Sequence, residues 1–344
     1  MTHTEWVASL SPWPEEFGLD RMHALLDALG HPERAYPAVH VVGTNGKSTA
    51  ARTIAAYLRA EALRVGAYTS PHVSGWHERL ETDAATFEHA VARVRPAAAE
   101  LGATQFETLT AAALAHFGDE GVDAAVVEAG LGGRLDATNV LDARVVHLTN
   151  VALEHTDVLG DTRDEIAREK LAVAGPRAIV VLGEREWSSL VPDNEVRIGG
   201  ARESAEAFLD RHLEARPPVP PLPGRLERRS ETELWDGAHT PDAADWLLAH
   251  LERSDWVVVA SVLGDKDVDA ILARLAQAGR MFVATRSSNA RALPEQELAA
   301  AARLHFERVE AVADPLEALR LARALGPVLV TGSLYLLADL HAAS

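Results

Sequence analysis

The chain has 344 residues and a formal charge of −18, from 51 acidic against 33 basic residues. A chain this acidic is a poor general binder of nucleic acid or of anionic membranes, although a local basic pocket for phosphate stays open. The absence of cysteine excludes disulfides, thiolate chemistry and cysteine-bound zinc. The N-terminus lacks the basic start and apolar stretch of a secretory signal. No apolar run reaches the ~20 residues that span a bilayer. The expectation is a cytoplasmic protein without membrane or nucleic-acid partners.

Along the chain, short apolar runs alternate with helix-like stretches. Ala38–Val42 reads as a buried strand, followed by a glycine turn and a helix over Ser48–Ala62. Strands follow at Val65–Thr69, Asp123–Glu128 and Arg144–Thr149, with helices at Leu109–Phe117 and Thr162–Val173. This alternation predicts a mostly parallel sheet with helices on both faces. Arg216–Pro223 reads RPPVPPLP, a stiff linker poor in backbone donors. Beyond it, strands are predicted at Glu233–Asp236, Asp255–Val262, Met281–Thr285 and Val328–Thr331. Helices are predicted at Pro241–Leu251, Val268–Ala276, Pro294–Leu304 and Asp314–Leu325. The expected organisation is an α/β domain with a P-loop over 1–215, a linker over 216–230 and a smaller Rossmann-like α/β domain over 231–344.

Five motifs bear on chemistry. In VVGTNGKST a strand enters a glycine turn and then a helix, the context in which backbone amides and a helix N-terminus receive phosphate. Lys47 can reach the β- and γ-phosphates, and Ser48 or Thr49 can meet Mg²⁺. Val41 stands where the strict P-loop pattern has its first glycine, so the loop is a short Gly-x-x-Gly-Lys-Ser form. Glu128 ends the apolar strand AAVVE, where open sheets face their ligand crevice. There it can hold Mg²⁺, and the glycine-rich loop that follows, with Arg134, Asp136 and Asn139, favours function over a solvated strand end. Ser70 in TSPH could offer a hydroxyl to a metal, although Ser-Pro by itself mostly marks a turn.

His155 and Lys170 lie in LEHTDVLGDTRDEIAREK. A lone histidine is more often structural, and a lysine at a helix end is usually a solvated cation. Residue chemistry alone gives neither a role. In DGAHTP, Asp236 could accept from a ribose and His239 could contact phosphate, but an Asp-Gly turn before a helix opened by Pro241 explains the motif equally well. Nucleophile elbows and HExxH motifs are absent, so hydrolase readings lack support.

In order, these stretches resemble the folylpolyglutamate synthase/dihydrofolate synthase family of the Mur-ligase superfamily. GLGGRLDATN, REK, PGRLE, DGAHTP, VLGDKD and TGSLYL carry the resemblance with HVVGTNGKST and YTSPHVSGWHERL, spanning almost the whole chain. The resemblance implies a Mur-ligase-type fold and an ATP-dependent ligase that adds L-glutamate to a pteroate or folate carboxylate through an acyl phosphate. Gly43, Thr44, Asn45, Gly46, Lys47, Ser48 and Thr49 would cradle the phosphates. Ser70, Glu128 and His155 would bind Mg²⁺, with two ions in the site. Lys170 would match a lysine that is carbamylated in the family. It would be catalytic with Lys47 and His155. Arg225, Asp236 and His239 would reach ATP, and Ser333 and Tyr335 would lie near substrate. Relatives are mostly monomers acting on small molecules.

The loop reads GTNGKST where the family usually has GTNGKGS, closer to the murein-ligase form, and DGAHTP replaces DGAHNP. The stretch from Lys170 to Asp236 is short, and the HQxxNA motif that helps hold adenine in relatives is absent, with RESAEAFLDRHL at its place. Two alternatives follow: a Mur-type ligase for another carboxylate and amino acid, and a nucleotide-binding relative without catalysis.

Overall fold

Valine-rich runs bounded by turn residues form strands buried on both faces, as expected where helices cover a parallel sheet. The computed structural model describes residues 1–214, 216–219 and 221–343. Ala215, at the expected end of the first domain, Pro220, inside the expected linker, and Ser344 lie outside the described residues. The chain divides into two compact units, residues 1–70 with 76–220, and residues 71–75 with 221–344. No helix among the described residues is long and apolar enough to cross a membrane.

The first unit holds β1 (Ala38–Val42), β2 (Val65–Tyr68), β3 (Ala124–Glu128), β4 (Val145–Leu148), β5 (Ile179–Leu182) and β6 (Glu195–Ile198). They pair in the order β2-β3-β1-β4-β5-β6, all parallel. Its helices are α1 (His3–Ser9), α2 (Asp20–Leu29), α3 (Lys47–Ala60), α4 (Ala84–Glu100), α5 (Gln105–Asp119), α6 (Thr156–Leu159), α7 (Arg163–Leu171) and α8 (Ala201–Leu209). After β1 the chain winds to one side of the sheet, and after β3 it crosses to the other. The carboxyl ends of β1, β3 and β4 therefore flank a topological switch point, where open α/β sheets place their ligands. The register sets Val41 opposite Glu128 and Val42 opposite Leu148, which brings the three following loops to one edge.

The second unit holds β7 (Glu227–Ser230), β8 (Glu233–Trp235), β9 (Val257–Ala260), β10 (Met281–Ala284), β11 (Arg308–Ala311) and β12 (Val328–Thr331). Their order is β11-β10-β9-β12-β8-β7, with only β7 antiparallel. Its helices are α9 (Pro241–Ala249), α10 (Val268–Leu275), α11 (Glu295–Ala302), α12 (Pro315–Leu325) and α13 (Leu334–Ala342). Val73, carried by the 71–75 segment, is buried in the second unit's core with Trp235, Val257, Leu336 and Leu337.

The strands β1 and β12 have the bounds expected from sequence. Helix α5 begins earlier than expected because Thr104 and Glu107 form a capping box ahead of it. Helix α4, with Pro96 in its interior, and the edge strands β6, β7 and β11 are additions to the sequence reading.

Candidate active site

The loop after β1 enters α3 through Gly46, which has φ 78° and no side chain to cap the helix. The first amides of α3 therefore have neither an intrahelical partner nor a capping side chain, and they sit at the positive end of the helix dipole. The loop itself is pinned from the β4 side. Asn150 accepts from the Thr44 N–H through its carbonyl (3.0 Å) and from the Asn45 N–H through its side chain (2.9 Å). The Thr149 hydroxyl donates to the Asn45 carbonyl (2.7 Å). Lys47 curls back so that Nζ donates to the Thr44 carbonyl (3.1 Å).

Ser48, in the first turn of α3, donates from Oγ to Glu128 Oε1 at 2.9 Å. The other Glu128 oxygen accepts the Ser70 N–H at 2.8 Å. Glu128 is 2 % exposed. The structure thus brings together Ser48, Ser70 and Glu128 from three separate segments.

Lys170 corrects the solvated-cation reading. It is 4 % exposed, and its Nζ donates to the Gly43 carbonyl at 2.9 Å. Burial, reinforced by repulsion from Lys47, lowers its pKa to about 7. The glycine-rich loop after β3 explains the burial. A Cβ at Gly133 would lie 2.6 Å from the Glu169 and Lys170 carbonyl oxygens, so only glycine lets the loop close on the end of α7. Arg134 fastens the contact, donating its N–H to the Glu169 carbonyl and Nε to the Glu169 carboxylate.

The same loop is organised from within. Asp136 is buried and accepts from the Gly130, Leu131 and Thr138 N–H groups and from the Thr138 hydroxyl. Burial pushes its pKa up against these donors. Asp136 therefore serves the loop, and Asn139 closes it by donating to the Arg134 carbonyl.

His155 precedes α6 in a left-handed conformation, φ 52°, with its side chain 44 % exposed. Its Nε2 lies 3.8 Å from Glu154 Oε1. Glu154 is also among the charges acting on Lys170, which places this loop in the same neighbourhood.

In the second unit, Asp236 follows β8 and is buried. Its oxygens accept the Leu226 N–H (2.8 Å) and the Ala238 N–H (2.9 Å). Burial raises its pKa. The Gly237 N–H donates to the Gly224 carbonyl (2.8 Å), and the Arg225 guanidinium donates to the same oxygen (2.9 Å). His239 Nδ1 lies 2.7 Å from the Gly237 carbonyl. Ser333 caps α13, accepting from the Tyr335 N–H, and Tyr335 is exposed. Arg225, Asp236 and His239 thus share one pair of joined loops.

Residues 41–182 match the Mur ligase middle domain and residues 224–334 the Mur ligase glutamate ligase domain. The chain is 33% identical to the dihydrofolate synthase/folylpolyglutamate synthase of Mycobacterium tuberculosis, across 91% of this chain and 84% of that one. It belongs to the folylpolyglutamate synthase/dihydrofolate synthase family. Among solved structures, the folylpolyglutamate synthase of Mycobacterium tuberculosis complexed with ADP superimposes with a TM-score of 0.89 at 31% identity, covering 98% of this chain and 96% of that one. A bifunctional folylpolyglutamate synthase/dihydrofolate synthase with Mn, AMPPNP and L-glutamate bound gives 0.86 at 28% identity, covering 100% and 98%.

As a member of the folylpolyglutamate synthase/dihydrofolate synthase family, the chain is an ATP-dependent ligase. Sequence reasoning missed residues that act on its site at second hand. Asn150 holds the loop between β1 and α3, and its signal was a polar pair, Thr149–Asn150, at the carboxyl end of a buried strand. Glu184 takes the Val151 N–H and pairs with Arg163, which itself donates to the Val151 carbonyl. That network has no local sequence signature.

Proposed function

We propose that this ATP-dependent ligase joins L-glutamate to the carboxylate of dihydropteroate, of reduced folate, or of both, through an acyl phosphate. The observation that carries the reading is the cluster at the carboxyl ends of β1 and β3: the open amino end of α3, the Ser48–Glu128 pair and the buried Lys170 amine. In this reading the 43–49 loop cradles the β- and γ-phosphates through the uncapped amides that open α3, with the Lys47 ammonium, while Asn150 keeps the Thr44 and Asn45 N–H groups. Together they oppose the charge that develops during transfer. The γ-phosphoryl group moves to the acceptor carboxylate oxygen and ADP leaves. The neutral glutamate amine then attacks the acyl carbon, the C–O bond to phosphate breaks, and the amine's surplus proton passes to water.

A divalent cation fits the residues present. The Ser48 hydroxyl and Glu128 carboxylate are hard oxygen donors 2.9 Å apart, the chemistry that holds Mg²⁺ or Mn²⁺ on nucleotide phosphates. Among the described residues no three His, Asp or Glu side chains gather into a cage of their own. When bound, the cation supplies positive charge to the phosphate oxygens. Glu128, Ser48 and Ser70 would hold one ion, with Thr49 as the other candidate hydroxyl. A second ion is assigned to the His155 side.

Lys170 supports carbamylation in this reading. With a pKa of about 7, much of its amine is neutral near neutral pH. A neutral amine adds to carbon dioxide: a C–N bond forms, a proton leaves to water, and a carbamate anion results. Repulsion from Lys47 would then become attraction. Arg225, Asp236 and His239 are assigned to the nucleotide, and Ser333 and Tyr335 to the neighbourhood of substrate. The partners are small molecules, and a cytoplasmic monomer is the expected form.

The deciding experiment measures ADP release with MgATP and L-glutamate, comparing dihydropteroate with reduced folate. Turnover with either acceptor supports the reading and says which activity the chain has. Silence with both, despite ATP binding, would overturn it. The murein-like GTNGKST loop would then favour a ligase for another acceptor and amino acid.

A further inference from the structure

Arg225 lies in a turn that the backbone does not favour. Gly224 has φ 67° and Leu226 φ 44°, the latter in the left-handed region where a leucine is strained. Such a turn persists only when its surroundings hold it, and here it is held from two sides. Asp236 takes the Leu226 N–H, as described. On the other side Glu227 Oε2 takes the Gly224 N–H (2.8 Å), closing the turn on itself.

Glu227 is in turn held by the C-terminal helix. His341 Nε2 lies 3.0 Å from Glu227 Oε2, and Arg229 donates to Oε1 at 2.8 Å. Burial pushes the Glu227 carboxyl up, but His341, the Gly224 N–H and Arg229 together outweigh burial and hold it at about 2. Trp235 fixes the ring from beneath, edge-on to His341 at 5.0 Å between centroids, with the Arg229 guanidinium 4.6 Å from the indole.

The contact continues along α13. A Cβ at Gly237 would stand 2.1 Å from Leu334 Cδ2, and one at Gly224 would stand 2.8 Å from Leu337 Cδ1. Leu334, Leu337 and His341 are spaced i, i+3 and i+7, which places them on one helical face. That face meets both glycines and then the carboxylate that closes the turn. A side chain at either glycine would have to displace the Leu334 or Leu337 tip that α13 lays against it.

We propose that this face of α13 is the seat of the 224–227 turn, and that His341, acting through Glu227, is a positioning residue for Arg225. The inference rests on the reading of Arg225 as a nucleotide contact. Its consequence is a KM effect: loosening the seat lets the guanidinium wander and weakens ATP binding, while the chemistry at the phosphate loop continues.

The test is steady-state ligation by the full chain carrying R225A, H341A, H341Q, E227Q or the R225A/H341A pair, with thermal unfolding of each. R225A is expected to raise KM for ATP about tenfold, and H341A about fivefold, from the loss of a hydrogen bond to a charged group. In H341A, kcat should stay within about twofold. H341Q, whose amide nitrogen can still donate to Glu227, should restore KM. In the R225A background H341A should add nothing. If R225A raises KM while H341A does not, or if the two effects multiply, the positioning role is overturned and the reading of Arg225 stands. If R225A leaves KM unchanged, both fall. Should H341A fail to fold, E227Q decides by the same criterion.

Discussion

At the carboxyl end of β1 the chain enters α3 with no capping side chain, whereas at the carboxyl end of β8 the loop amides are taken by carboxylates. Asp236 receives Leu226 and Ala238, and Glu227 receives Gly224. In the proposed reading the first arrangement keeps the opening amides of α3 for an incoming phosphate, while the Thr44 and Asn45 N–H groups are taken by Asn150. The second satisfies its own donors and ties the Arg225 guanidinium and the His239 ring to carbonyls of the same loops. Similar parallel sheets thus support two kinds of loop, one built to receive and one built to hold its shape.

The comparison can be broken most sharply at Lys47. K47A should lower kcat/KM by about a thousandfold, as expected for removal of a charge that acts on the transferring phosphoryl group. Circular dichroism should be unchanged, and a variant with near-normal turnover would deny the first edge its receiving role. G133A should follow, with a loss of about a hundredfold in kcat and a lowered melting temperature. Its Cβ would meet backbone carbonyls of α7, not a flexible side-chain tip. Wild-type activity in G133A would show that Lys170 does not depend on the loop closing over it.

A smaller effect is expected from bicarbonate. Below pH 7 the Lys170 amine is increasingly protonated and cannot take up carbon dioxide, so activity in CO₂-depleted buffer should fall as pH drops through 7. Added bicarbonate should recover it about twofold to fivefold near that pH. A K170Q variant should show no bicarbonate response, and a wild-type enzyme indifferent to bicarbonate would argue against the carbamate.

The last prediction touches stability alone. His40 on β1 and His147 on β4 are fully buried, and burial lowers each pKa to about 4. Between the ordinary value of 6.5 and 4 the unfolded chain binds more protons than the folded one, so stability is full above this window and falls as pH drops through it. The loss approaches about 3 kcal/mol for each histidine. Glu227 in the second unit is held at about 2, so its contribution is lost only below its ordinary value of 4.5. Acid should therefore weaken the first unit before the second. Denaturant titrations at pH 7, 5 and 4, with H40Q and H147L flattening the response, would check the order.

The two units differ in how far sequence reveals them. Uninterrupted apolar runs such as AVHVV and VLVT could be read directly, because burial on both faces leaves no alternation to misjudge. Edge strands were lost for the opposite reason. Glu195–Ile198 and Glu227–Ser230 are partly exposed and charged, and they look like loops until a neighbour pairs with them. Helix α13 hid in TGSLYLLADL because apolar residues surround it on several sides. The positions of Glu128 and Asp236 at strand ends, and of Lys47 where the glycine turn enters a helix, were legible in the sequence. Lys170 was not, since its burial comes from Gly43 and Gly133, 127 and 37 positions earlier in the chain.

The 71–75 segment has a consequence for how this molecule can be divided. Val73 reaches the core of the second unit from a stretch encoded between two parts of the first. A fragment beginning at residue 221 would contain every strand and helix of that unit yet would fold around a gap beside Trp235, Leu336 and Leu337. The halves are therefore not interchangeable modules: shuffling the C-terminal half into a relative would also require a compatible residue at position 73.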